Sequence, residues 1–206
     1  MENTLYTIGH SSHEVGKVIG LLRRHGVTAL ADVRSQPYSR RNPQFNRDPF
    51  TAALREQGIV YVFLGRELGG RPEDRSCYLD GRVVYDRVAA TEWFQLGLER
   101  VIHGMQEHRI ALLCAEKDPL DCHRGILLAP QLTARGVNVV HILEDGRLES
   151  HEAALSRLLA RLGLEESCLF GSREERVAEA YSQRAAQIAY TEPAAVRAKL
   201  ARGAPR

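Results

Sequence analysis

No stretch of the chain approaches the roughly 18 uncharged apolar residues that a membrane-spanning helix requires, so no membrane partner is expected. Met1 to His10 reads as a short strand, without the basic leader or apolar core of an export signal, and the expected compartment is the cytoplasm. The four cysteines, Cys77, Cys114, Cys122 and Cys168, form no CxxC pair, which excludes a zinc ribbon and a thioredoxin-type redox motif. Their irregular spacing, in a chain with no export signal, favours reduced thiols over disulfides. Neither sign of charge prevails: 28 Lys and Arg stand against 26 Asp and Glu, for a net charge of +2. A globally basic nucleic-acid binder is therefore not indicated, although a local basic patch is compatible with the balance. Internal repeats and low-complexity tracts are missing too. What is present, 206 residues with 44% hydrophobic and 26% charged, suits one globular domain, alone or with a helical tail.

Short β-rich runs alternate with helical patterns. Residues 5–9, 27–33, 59–64, 109–114 and 137–142 read as strands. Helices are expected over 13–24, where Val15, Val18, Ile19 and Leu22 have helical spacing, and over 48–57, with Asp48 as N-cap and Pro49 at the first helical position. Two more follow at 92–107 and at 121–135, the latter ended by Gly136. Residues 65–82, rich in glycine and holding Pro72, read as a long loop. Everything from Leu148 onward reads as helical, broken near Gly163 and at 171–172. The alternation predicts an α/β fold: a doubly wound, Rossmann-like, mostly parallel sheet of about five strands with helices on both faces. Residues 1–147 form that domain, and 148–206 form a helical C-terminal extension packed on it or on a second copy. The tail's apolar positions Val177, Tyr181, Ile188, Tyr190, Val196 and Leu200 make a face too thin to stand alone. Tyr181 and Tyr190 are its expected anchors, and Arg184 would extend a basic surface.

Ligands of open parallel sheets bind beyond the carboxyl ends of the strands. Polar residues collect at those ends here: His10 and Ser11 after the first strand, Asp32, Arg34 and Ser35 after the second, Cys114 and Glu116 after the fourth, and His141 at the fifth. Each has a bland reading as a cap or as a partner for buried amides. Their concentration on one rim marks that rim as the functional site.

The segment from Cys114 to Arg124 is the richest. Asp118 or Asp121 would cap the next helix and place Cys122 in its first turn, where amide donors and the helix dipole favour thiolate. His123 and Arg124 add charge and proton-transfer capacity beside it, as a nucleophilic cysteine or an anion-binding helix terminus needs. A cysteine-phosphatase loop does not fit, because Cys114 and Arg124 are too far apart and Cys122 and Arg124 too close. The run from Arg34 to Arg47 carries four arginines, no acid, and the aromatics Tyr38 and Phe45. Arginine forks bind phosphates and aromatic faces stack on bases, so this loop reads as an anion or nucleotide contact.

These residues also carry a family likeness. Thr7-Ile8-Gly9-His10-Ser11, Asp32 through Pro37, Gly58 to Tyr61 with Leu68-Gly69-Gly70, and Cys114 to Arg124 follow one another in order. The set resembles the bacterial family of domain of unknown function 488, over residues 4 to about 145, with a similar C-terminal helix near 180–190. The resemblance implies an α/β fold and a shared rim site, to which His10, Asp32, Arg34, Cys114, Glu116, Cys122, His123, Arg124, Gly69 and Gly70 correspond. It singles out no substrate, and the cofactor is unknown.

Three functions compete. The first is an enzyme, a hydrolase or transferase acting on an anionic substrate such as a nucleotide or nucleic-acid component. Cys122 or Cys114 would be its nucleophile, His123 or His10 its acid/base, Arg34 and Arg124 its anion clamp, and Asp32 or Glu116 the orienting group. Ser11, Ser35, Gly69 and Gly70 complete its binding surface. An acid/base version of it works through Glu116 and Asp32. The second is a non-catalytic nucleotide- or nucleic-acid-binding module. The third is a metal site built from Cys114, Cys122 and two of His10, His123 and His141; it ranks last because no sequence-local pair supports it, and no metal ligand is assigned.

Overall fold

A computed structural model of the protein describes residues 4–164 and 172–193. Along the chain run β1 (Thr4–Gly9), α1 (Val15–Arg24), β2 (Ala29–Asp32), α2 (Arg47–Glu56), β3 (Val60–Phe63) and the short α3 (Gly65–Leu68). Next come a hairpin of β4 (Tyr78–Leu79) and β5 (Arg82–Val83), then α4 (Tyr85–Ala89), α5 (Glu92–Gly104) and β6 (Ile110–Cys114). A π-helical turn over Arg124–Leu128 leads directly into α6 (Ala129–Thr133). The last elements are β7 (Asn138–Ile142), β8 (Leu148–Ser150), α7 (His151–Leu162) and α8 (Arg173–Ile188).

The main sheet has six strands in the order β3-β2-β6-β1-β7-β8. All neighbours are parallel except β7 and β8. The fold is therefore α/β with a mostly parallel sheet, as its alternating pattern requires. Two local expectations are corrected. Leu148–Ser150 opens no helix; it pairs antiparallel with β7 before Ser150 caps α7 through Ala153 N–H. The 65–82 segment is not all loop, since it holds α3 and most of the hairpin.

Strand period two divides the core. Ile8, Leu30, Ala111 and Leu113 face α1 and α2, packing with Val18, Leu22, Phe50 and Leu54. Leu5, Ala31, Leu112, Cys114 and Val139 face the other side, with Phe94, Leu98, Leu132, Leu158 and Ala180. β2 and β6 are buried at every position, as central parallel strands covered on both faces must be. From β1 the chain crosses by α1 towards the β3 edge, and from β6 it crosses by α6 towards the β7 edge. β1 and β6 are neighbours, so their carboxyl ends flank a topological switch point, the place where such sheets bind ligands.

The C-terminal elements hold that end of the sheet. Arg184 of α8 is buried; its Nε donates to the Leu120 carbonyl at 2.9 Å, and its guanidinium also pairs with Asp121. Arg157 of α7 grips Asp118 at 2.7 and 3.0 Å while holding Glu149. The Tyr181 hydroxyl meets His151 Nε2 at 2.8 Å. After α8, Val83 N–H donates to the Tyr190 carbonyl and Glu192 N–H to the Gly81 carbonyl, tying the chain to the hairpin. Val196 and Leu200, also expected on the tail's apolar face, lie outside the described residues, as does Cys168.

Candidate functional site

At the switch point the backbones of β1 and β6 run on together: His10 N–H donates to the Cys114 carbonyl and Ser11 N–H to that of Ala115, both at 2.9 Å. A cavity of about 440 Å³ opens there, bordered by Cys114, Glu116, Cys122 and His123 on one side. Arg34, Ser35 and Tyr38 from the loop after β2, Gly70 and Arg71, Tyr85, and Tyr190 form the rest of its wall.

The Cys114–Arg124 segment folds differently from a plain capped helix. Asp118 does cap, accepting from Leu120 N–H at 2.9 Å, but it serves only a single 3-10 turn. Cys122 follows in extended conformation, with φ −140° and ψ 146°. Its carbonyl receives the N–H groups of Gly125 and Ile126, and its sulfur accepts Arg124 N–H at 3.4 Å. Cys122 is thus the cap of the helix that continues into α6, not a member of its first turn. The turn it caps is π-helical, a form concentrated at functional sites.

Three side chains converge at this cap. His123 Nδ1 lies 3.6 Å from Cys114 Sγ and 3.6 Å from Cys122 Sγ. Its Nε2 is 3.1 Å from the Val33 carbonyl, which can only accept, so Nε2 carries the proton and Nδ1 turns to the sulfurs. Cys114 Sγ donates to Glu116 Oε2 at 2.9 Å. Burial raises a thiol, yet the adjoining Cys114 side chain and the Arg124 and His123 charges overcome it and hold Cys122 well below the usual thiol range. Burial and the neighbouring Cys122 push Cys114 well up. Burial and the Cys122 charge likewise raise Glu116, while for His123 the attraction of Cys122 outweighs burial and raises it.

The other expected residues stand outside this cluster, although His10, Arg34, Ser35 and Gly70 border the same cavity. Asp32 is fully buried and bound by Arg34 through Nε at 2.9 Å and Nη2 at 2.6 Å, and by the Tyr61 hydroxyl at 2.7 Å. It faces the α1/α2 side, so it does not meet the cysteines. Arg34 reaches the cavity wall with its charge already matched by Asp32. His10 accepts from Arg34 Nη1 at 3.2 Å and donates through Nδ1 to the Ser11 carbonyl at 2.7 Å. Burial and the Arg34 charge lower it to about 4, leaving a neutral ring. Arg124 is 1% exposed and points away from the cavity, donating to the Glu116 and Lys117 carbonyls at 2.7 and 2.9 Å. His141 sits in a separate buried chain, between Thr7 Oγ1 and His151. Ser11 takes a positive φ of 49° at the turn leaving β1. Ser35 Oγ accepts Arg71 N–H at 2.9 Å. A Cβ at Gly69 would lie 2.5 Å from that same oxygen, and one at Gly70 would lie 3.1 Å from the His123 ring. The glycine pair therefore lets this loop close against the site.

Arg71, Tyr85 and Tyr190 were not anticipated in the cavity wall as such. They come from the segment read as loop, from α4 and from beyond α8, and nothing in their local sequence sets them apart. Arg71 lies over the Tyr190 ring, 4.6 Å from its centroid.

The comparisons match this architecture to a family. No curated protein and no solved structure matches the chain. The family model described as Domain of unknown function DUF488 matches residues 14–129, which span β2, β3, β6 and the cysteine-bearing cap. The chain belongs to the DUF488 domain family.

Proposed function

We propose that the protein is an enzyme that takes a small anionic substrate, phosphate-bearing or nucleotide-like, into the switch-point cavity and works on it at the Cys114–Cys122–His123 cluster. The observation that supports this best is the convergence of two sulfurs, an oriented imidazole and a carboxyl on one cavity wall. The two thiols and the imidazole are buried, and this polar cluster has no packing purpose that apolar residues would not serve better. Glu116, bonded to Cys114 and bordering the cavity, is the group placed for proton transfer. Among the wall cations, Arg34 is matched by Asp32, whereas Arg71 is exposed and, among the described residues, its guanidinium faces a tyrosine ring and no carboxylate. Arg71 is therefore the side chain that recognises the anion, with Ser35 beside it.

A second reading, a nucleic-acid-binding module, draws on Tyr38, which is 68% exposed beside the exposed Arg40 and Arg41. The test is consumption of substrate. Wild-type protein incubated with a mixture of nucleotides and phosphorylated small molecules should deplete one class, as followed by mass spectrometry, and Glu116→Gln should deplete it at least about tenfold more slowly. No depletion, together with tight binding of single-stranded oligonucleotides lost in Tyr38→Ala, would favour the module.

A further inference from the structure

We propose that Cys114, Cys122 and His123 together bind one divalent metal ion of the zinc class, leaving a fourth coordination position turned to the cavity. This deepens the active-site reading, on which the use of that fourth position rests.

The distances carry the argument. One ring nitrogen, with one lone pair, faces two sulfurs at the same 3.6 Å, a geometry that a single hydrogen bond does not explain. Zinc bonds of about 2.3 Å to sulfur and about 2.0–2.1 Å to nitrogen, opened to a tetrahedral angle, set N and S about 3.6 Å apart. All three donor atoms lie within 4.8 Å of one another, and all three residues are buried. The outer contacts are those a ligand set needs. Val33 holds the imidazole by its far nitrogen, and Arg124 N–H points at Cys122 Sγ. Two thiolates neutralise a dication, and the remaining local charges, the buried Arg124 and the exposed Glu116, are also of opposite sign. Among the described residues Arg124 meets only backbone carbonyls with its terminal nitrogens, and its Nε has no partner, so its charge answers the cluster at a distance.

Thiolate and imidazole donors select zinc over magnesium or calcium. Three protein ligands with one open position is the pattern of catalytic zinc, where structural zinc takes four. Glu116, 2.9 Å from Cys114 Sγ, stands beside the position left open. From the sequence a metal site at these cysteines ranked last, because its ligands come from two places, the end of β6 and the cap before α6, and neither alone has zinc spacing; of the three histidines considered there, His123 is the one that joins them.

The test uses untagged full-length protein. Elemental analysis should find one zinc per chain in wild type and in Cys77→Ala. Chelated protein refilled with cobalt should show thiolate charge-transfer absorption and intense visible bands of tetrahedral geometry. Cys122→Ser and His123→Ala should bind zinc more than about tenfold more weakly, judged by competition with a chromophoric chelator. Wild-type protein that carries no metal and gives no cobalt spectrum would overturn the inference whatever the variants do. Substrate depletion by that metal-free protein would leave the active-site reading standing. Metal bound without any depletion would leave the metal site and remove the enzyme.

Discussion

Arg34 and Asp32 form a two-pronged ion pair in which the carboxylate is fully buried and the guanidinium 6% exposed. Two residues apart on one chain, they lock the turn that leaves β2 and so fix the loop carrying Ser35 and Tyr38. Breaking such a pair strands a buried charge, which costs about 3–5 kcal/mol. Asp32→Ala should lose stability of that order in urea denaturation. The double replacement Asp32→Leu with Arg34→Leu should recover part of the loss. A loss below about 1 kcal/mol in Asp32→Ala would show that Arg34 finds its balance elsewhere.

Gly69 and Gly70 should respond differently to a methyl group. At Gly69 a Cβ would stand 2.2 Å from the Gly65 carbonyl oxygen, a backbone atom that cannot easily yield. Gly69→Ala should therefore cost about 1–3 kcal/mol. At Gly70 the nearest atoms belong to the His123 side chain, with the ring at 3.1 and 3.3 Å. Gly70→Ala should unfold close to wild type while displacing the imidazole, and so lower metal affinity. Equal stability losses in the two variants would contradict this division.

Cys114 and Cys122 border the cavity, whereas Cys77 is 0% exposed beneath the hairpin and its thiol is raised by burial. In chelator-treated protein, iodoacetamide should label the two rim cysteines before Cys77, and added zinc should protect them. Peptide mapping over time gives the order. Labelling at the rim no faster than at Cys77 would mean that the cavity does not reach the sulfurs.

His151 links His141 to Tyr181, with Nδ1 3.1 Å from His141 Nε2 and Nε2 2.8 Å from the tyrosine oxygen. Burial lowers it from 6.5 to about 4. The folded protein keeps the ring neutral, while the unfolded chain takes up a proton below pH 6.5. The stability it contributes is therefore complete above 6.5 and falls with acid, by about 3 kcal/mol at pH 4. His141, whose value burial and His151 also lower, acts in the same direction. Urea denaturation at pH 7 and pH 4.5 should show a smaller acid loss in His151→Gln than in wild type. Identical pH dependence would place the acid sensitivity in other groups.

The parallel sheet was legible because its strands are short apolar runs separated by helices with clear stops, such as Gly58 at φ +71° after α2. β8 was not: three residues ahead of a strong helix offer no period, and only β7 makes them a strand. The rim was legible as a rim. Its internal division was not, because it depends on the pleat and the register. Asp32 pairs with Leu113, one residue before Cys114, and so looks to the opposite face of the sheet. Arg124 looked like an anion clamp from its place beside Cys122. The π-helical turn instead sends it inward beneath the loop of Glu116 and Lys117.

The central claim is that the cavity beside the cysteine cluster receives a small anion. Its most direct measurement is the shift in melting temperature produced by a panel of nucleoside monophosphates and inorganic phosphate on wild type, Arg71→Glu and Gln36→Trp. Gln36 is an exposed cavity-wall residue, so a tryptophan there narrows the opening without touching the core. A compound present at 100 times its Kd adds about 2.7 kcal/mol to stability. At least one compound should stabilise the wild-type protein, and both variants should lose that shift. Stabilisation that persists undiminished in both variants, or that no compound produces in wild type, would contradict the account.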